Sequence, residues 1–240
     1  MKTEPLGPLQ VRRFSKGTGS NDKPPLVVVL LHGFGAPGDD LAGLADAIDA
    51  PDGTTLIFPE AVHSLAELTG QRAYGDARCW WMIDMVRMQL AIAAGVDRDL
   101  SQDVPEGLAE AREKVNAMLD ALASERPSSR LVLGGFSQGA MLSLDVALRA
   151  PPRKLAGLVQ MSGTIIAERE WKPLLSGRKE LKVFQSHGRA DAILPFAAAE
   201  RLSKMLSDAG LEVAFDPFHG PHTIPAQTLR RLSAWIRDLG

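Results

Sequence analysis

Residues 26–31 read Leu-Val-Val-Val-Leu-Leu, six apolar side chains in succession, three of them β-branched. A strand that alternates apolar and polar residues hides one face. A strand with no polar position must hide both, as interior strands of parallel sheets do. Segments of the same kind recur at 54–59, 130–135, 155–163, 181–188 and 211–217, and a shorter strand is expected over 9–14. Helical patterns fill the gaps. Leu108, Ala111, Val115, Met118, Leu119 and Leu122 fall at helical spacing between 105 and 126, with Pro105 in the first turn and Pro127 as a stop. Further helices are expected over 138–150 (closed by Pro151 and Pro152), over 197–210 with Gly210 at the end, and over 228–239. Strands alternating with helices imply an α/β fold, an open and mostly parallel sheet covered on both faces. Ligands of such sheets sit at the C-terminal ends of the strands.

The 240 residues suit a single α/β domain over 1–240, with 1–8 as a flexible N-terminus and the Gly- and Pro-rich stretch 15–25 as a loop. Residues 60–104 break the alternation and have no clear assignment. An excursion of that length often shapes a site.

Composition narrows the function. A net charge of −2, with Lys and Arg scattered, argues against nucleic acid as a partner. No run approaches the roughly 18 apolar residues of a membrane span, and the first residues lack the apolar stretch of a secretory signal. No integral membrane association is expected, and a cytoplasmic setting is the default. Cys79 is the only cysteine, so no intrachain disulfide forms.

Gly135-Phe136-Ser137-Gln138-Gly139 fits Gly-x-Ser-x-Gly, a pattern that about one chain in eight of this composition carries by chance. Context therefore has to decide. Ser137 falls where a good strand meets a good helix, the setting in which this pentapeptide turns sharply and projects a nucleophilic serine. No Lys-Ser/Thr follows the glycines, which excludes a Walker phosphate loop. A serine hydroxyl needs a base. His219 and His222 both lie in the loop between the last strand and the last helix, and residues and order alone leave either available. Asp191 follows the 181–188 strand, either as the acid partner or as a turn or cap residue before a helix starting near Pro195. The oxyanion of an acyl transfer needs two donors. The Gln138 N–H and the Phe34 N–H, in the Gly-rich loop after strand 26–31, are the candidates. A metal site is not expected, because His219 and His222 have no second ligand cluster. Cys79 reads as a small buried residue rather than a nucleophile.

Four segments, LHGFGAPGDD (31–40), GGFSQGAMLSL (134–144), HGRADAILP (187–195) and PHTIP (221–225), resemble in order the phospholipase/carboxylesterase family of α/β-hydrolases, which includes the acyl-protein thioesterases. The likeness runs over about residues 9–239. It implies an α/β-hydrolase fold, a Ser137–His222–Asp191 triad, and an oxyanion hole from the Phe34 and Gln138 N–H groups. It favours His222 over His219 because His222 matches the family histidine. CWWMID (79–84) is similar to a Trp-Phe-Asp segment near the family's site, so Trp80, Trp81 and Met82 become candidates for the substrate pocket. For the two tryptophans, core packing is the equal alternative. Met82, Met85 and Met88 fall three apart, and a core helix or pocket wall is favoured over a membrane-facing flap.

The resulting expectation is a serine esterase acting on small ester or acyl substrates without a cofactor. Lysophospholipase or acyl-protein thioesterase activity is the alternative within enzymes. A non-catalytic binding module on the same fold is the alternative from another class. The resemblance also allows a homodimer.

Overall fold

The computed structural model describes residues 2–18, 24–95, 99–149 and 153–239. Pro151 and Pro152, and the middle of the 15–25 segment, lie outside the described residues. In chain order the first strands are β1 (Glu4–Leu6), β2 (Leu9–Ser15) and β3 (Leu26–Leu31), followed by a 3₁₀ turn running into α1 (Leu44–Ala47) and then β4 (Thr55–Pro59). An excursion comes next, with β5 (His63–Ser64), α2 (Leu65–Thr69), β6 (Arg78–Cys79) and α3 (Met85–Ala93). The rest alternates: α4 (Leu108–Glu125), β7 (Arg130–Phe136), α5 (Gln138–Arg149), β8 (Leu155–Met161), α6 (Glu168–Leu175), β9 (Lys182–Gly188), α7 (Phe196–Asp208), β10 (Glu212–Phe218) and α8 (Ala226–Asp238).

Eight strands form one sheet in the order β1-β2-β4-β3-β7-β8-β9-β10. From β4 to β10 neighbouring strands are parallel, and only the β1–β2 and β2–β4 pairs run antiparallel. The unbroken apolar run of β3 is explained by this position. Val27, Val29 and Leu31 enter the core beneath α4, α5 and α7, while Leu26, Val28 and Leu30 enter the core beneath α8 and the α1 segment. Each such side chain contributes about 1.5–3 kcal/mol relative to exposure, so a charge at any β3 position would disrupt one core or the other.

Three expectations change. The N-terminal residues are not wholly free: β1 pairs with β2 from Glu4 opposite Val11 to Leu6 opposite Leu9, and Leu6 is buried. Three residues are too short to announce a strand by periodicity. Pro105 precedes the helix rather than entering it. The φ of +89° at Gly107 takes the chain off the helical path, and α4 starts at Leu108. The methionine segment is not a core helix. Met82 precedes α3, Met85 and Met88 are half-buried, and Val86 and Leu90 are exposed.

Candidate active site

Ser137 occupies the one-residue joint between β7 and α5, with φ at +54°. Left-handed backbone is unfavourable for a residue bearing Cβ, costing about 1–2 kcal/mol, so the surroundings must hold it. Ser137 N–H donates to the Met161 carbonyl at 2.9 Å, and the Ser137 carbonyl accepts from Ala140 and Met141 N–H at 3.0 and 3.1 Å, which starts the helix. The flanking glycines permit the close approach. A Cβ on Gly139 would lie 2.1 Å from the Leu31 carbonyl oxygen, and one on Gly135 would lie 2.5 Å from both that oxygen and the Gly139 carbonyl carbon. The glycines make a packed joint, not a loose one.

The loop after β3 approaches the same joint. Gly33 faces the Phe136 ring and the Ser137 Cβ closely enough that a Cβ there would sit 3.3 Å from each. The next N–H, that of Phe34, belongs to a turn held from below by the Gly35 N–H, which donates to the Arg78 carbonyl at 2.8 Å. His32 anchors the other side. Its Nδ1 lies 2.8 Å from the Gly33 carbonyl and can only donate to it. Its Nε2 therefore accepts, here from Ala61 N–H at 3.0 Å. The tautomer is fixed by its two neighbours. Burial drives the His32 pKa down to about 4, against the raising effect of the Gly33 carbonyl, so the ring stays neutral.

Asp191 and His222 come from different loops that are stitched together. Arg189 N–H donates to the Phe218 carbonyl at 2.8 Å and Ala190 N–H to the Gly220 carbonyl at 3.0 Å. His222 Nδ1 then donates to Asp191 Oδ2 at 2.6 Å, which leaves Nε2 with its lone pair. The imidazole packs on the Phe136 ring, centroids 4.8 Å apart, next to Ser137 in sequence. The other carboxylate oxygen, Oδ1, accepts from Ile193 and Leu194 N–H, both at 2.9 Å. One oxygen thus faces the His222 imidazole while the other caps the turn before α7. Burial is the largest influence on this carboxyl and opposes ionisation. The hydrogen bonds from His187 and His222, the His222 charge and the Leu194 N–H outweigh it and hold the group well below the usual carboxylate range. His219 is exposed, at the outside of the loop.

The pocket candidates divide. Trp80 and Trp81 are 0% and 3% exposed and belong to the core, whereas Met82 is 47% exposed. The tryptophans are turned inward by polar bonds as well as by packing. Trp80 Nε1 donates to the His32 carbonyl at 2.9 Å, and Trp80 N–H donates to Gln138 Oε1 at 2.9 Å. Gln138 Nε2 donates in turn to the Trp81 carbonyl at 2.9 Å. Sequence reasoning used only the Gln138 backbone. The amide side chain of Gln138 is fully buried and spends both of its ends on this segment, a role that no sequence pattern signals. Cys79 is buried, and burial pushes its thiol up to about 11 despite the neighbouring Arg78 cation, which keeps it protonated and inert. Among the described residues no group of three or more His, Cys, Asp or Glu side chains could hold a metal ion. No described helix is long and apolar enough to cross a membrane.

The profile of a family described as phospholipase/carboxylesterase matches residues 18–239. A probable carboxylesterase of Oryza sativa subsp. japonica is 28% identical over 223 residues, 88% of this chain and 76% of that protein. The acyl-protein thioesterase 1 of Cryptococcus neoformans var. neoformans is 28% identical over 152 residues, 57% of this chain and 63% of that protein. Among solved structures, the esterase PE8 superposes with a TM-score of 0.72 at 26% identity, covering 97% of this chain and 99% of that one. The acyl-protein thioesterase 2 of Zea mays reaches a TM-score of 0.71 at 23% identity, over 96% and 99%. At that identity the likeness to the maize protein is one of fold. The sheet order, the helices on both faces and these likenesses make the fold that of an α/β-hydrolase.

Proposed function

The chain belongs to the phospholipase/carboxylesterase family and is a serine esterase, and on that premise we propose that it hydrolyses carboxylic esters through an acyl-enzyme on Ser137. The Ser137 Oγ attacks the ester carbonyl while His222 Nε2 takes its proton. Asp191 keeps the imidazole in the tautomer with Nδ1 protonated and stabilises the imidazolium that forms. The Phe34 and Gln138 N–H groups receive the oxyanion, a term worth about 10²–10³ in rate per donor. His222 returns the proton to the leaving alcohol. Water, deprotonated by the same nitrogen, then attacks the acyl-enzyme, and His222 returns that proton to Ser137 Oγ as the acid leaves, so that protons balance over the cycle. No step calls for a cofactor.

The observation that carries this reading is the 2.6 Å bond from His222 Nδ1 to Asp191 Oδ2 beside the Ser137 joint. A fluorophosphonate probe tests it. One adduct is expected, on the peptide containing Ser137. Ser137→Ala and His222→Ala should lower kcat for a p-nitrophenyl ester by about 10³-fold or more, while His219→Ala should stay within about threefold. Full activity in Ser137→Ala would sink the mechanism. An unlabelled Ser137 without turnover would instead favour a binding module.

Thioesters are the second reading, favoured by the relatives named acyl-protein thioesterase 1. The same steps serve, with a thiol as leaving group. Rates on a chain-length series of p-nitrophenyl esters and matched acyl thioesters separate the two. A cytoplasmic location and a homodimer complete the proposal, checked by fractionation and by sedimentation respectively.

A further inference from the structure

We infer that His187 is a positioning residue for this reaction, holding the Asp191 carboxylate through Oδ2, the same oxygen that His222 engages. The inference rests on the triad reading above. His187 is the penultimate residue of β9 and is fully buried. Its Nε2 lies 2.9 Å from the Leu194 carbonyl and 3.3 Å from Asp191 Oδ2. Both neighbours are acceptors only, so Nε2 carries the ring proton. The Leu194 carbonyl it holds belongs to the residue whose N–H binds Asp191 Oδ1. One imidazole therefore braces the turn that supplies Oδ1 and also presents a positive edge to Oδ2. Its other nitrogen, Nδ1, is buried with no hydrogen-bond partner. An apolar side chain would fill this space without leaving a nitrogen unpaired, so packing alone does not account for a histidine here. What a histidine adds is the donor at Nε2.

The titratable and charged groups around the carboxylate come from three places. His187 faces it from β9 and His222 from the loop after β10. Arg189, two residues before Asp191, lays its guanidinium over the Phe196 ring of α7, 4.7 Å from the centroid, and that ring also borders His187. A donor at Oδ2 withdraws charge that His222 would otherwise receive. Removing it makes the carboxylate more basic toward His222 and favours the imidazolium.

The test compares His187→Phe, which keeps a ring and loses the donor, with His187→Gln, whose amide N–H reaches the ε position. For His187→Phe, kcat/KM should fall about 10- to 100-fold as the acid turn shifts. The acid limb of its kcat/KM–pH profile should move to higher pH by about half a unit. His187→Gln should recover activity to within about threefold and return the limb to its original position. If His187→Phe does not fold, as judged by near-ultraviolet circular dichroism, His187→Asn takes its place, because that amide is too short to reach the carboxylate. A folded donor-less variant within twofold of the original activity and with an unmoved limb overturns the inference. So does a His187→Gln variant as impaired as His187→Phe. These outcomes are distinct from failure of the triad reading, in which Ser137→Ala and His222→Ala would themselves remain active.

Discussion

The joint around Ser137 and the α3 segment are both rich in apolar residues, and they are held in opposite ways. From Gln138 to Leu148 every residue of α5 is buried, and the approach to it is so close that Gly139 has no room for a methyl group. In α3, Val86 and Leu90 are 68% and 66% exposed, one turn apart on the outside of the molecule. Apolar content therefore does not separate a framework helix from a surface one. Side-chain burial in the core and close backbone contacts hold the first. The second follows directly on a segment that Gln138 grips at Trp80 and Trp81.

The contrast breaks first at His32, on the framework side. A free histidine takes up a proton below about 6.5, and the buried ring resists until about 4. Between those values the unfolded chain binds a proton that the folded chain refuses. The stability present above 6.5 should thus fall by about 3 kcal/mol as the pH drops to 4. His32→Asn, though less stable at neutrality, should lose this part of the slope. Urea midpoints at pH 7 and 4.5 for both proteins decide it, and parallel losses would mean that His32 is not the group responsible.

Gln138→Leu probes the connection between the two regions. It removes both side-chain bonds and leaves Trp80 N–H and the Trp81 carbonyl unpaired inside the protein, a cost of about 1–3 kcal/mol each when buried. Global stability should drop accordingly, and hydrogen exchange should rise at residues 79–84 ahead of the sheet. Unchanged exchange there would show that packing of the tryptophans suffices without the glutamine.

The smallest effect is expected in α3 itself. Val86→Ser and Leu90→Ser should each leave the midpoint within about 0.5 kcal/mol, as surface changes do. A larger loss would mean that these side chains are covered in solution, and the comparison would have to be redrawn with α3 as part of a buried surface.

How much of this was legible beforehand follows from the range of the interactions. The strands at 26–31 and 130–135 announce themselves because both of their faces are buried, which writes an unbroken apolar run into a few adjacent residues. The Ser137 joint is equally local, being strand, glycine-flanked turn and helix. Ser137, Asp191 and His222 could be assigned to loops at the ends of β7, β9 and β10 from element order alone. The 60–104 excursion could not be assigned, since no periodicity tells an exposed apolar helix from a core one.

The sequence by itself determined the α/β framework and placed Ser137, Asp191 and the two late histidines in loops after strands, all from local pattern and chain direction. Other features waited for the tertiary structure. These are the inward turn of Trp80 and Trp81, the grip of Gln138 on a segment 57 residues away, the pairing of β1 with β2, and the gathering of four donors on the Asp191 carboxylate. Each depends on a contact between groups whose neighbours in the chain say nothing about the partner. A hydrogen bond between distant segments is decided by distance and burial, and neither quantity exists until the chain has folded.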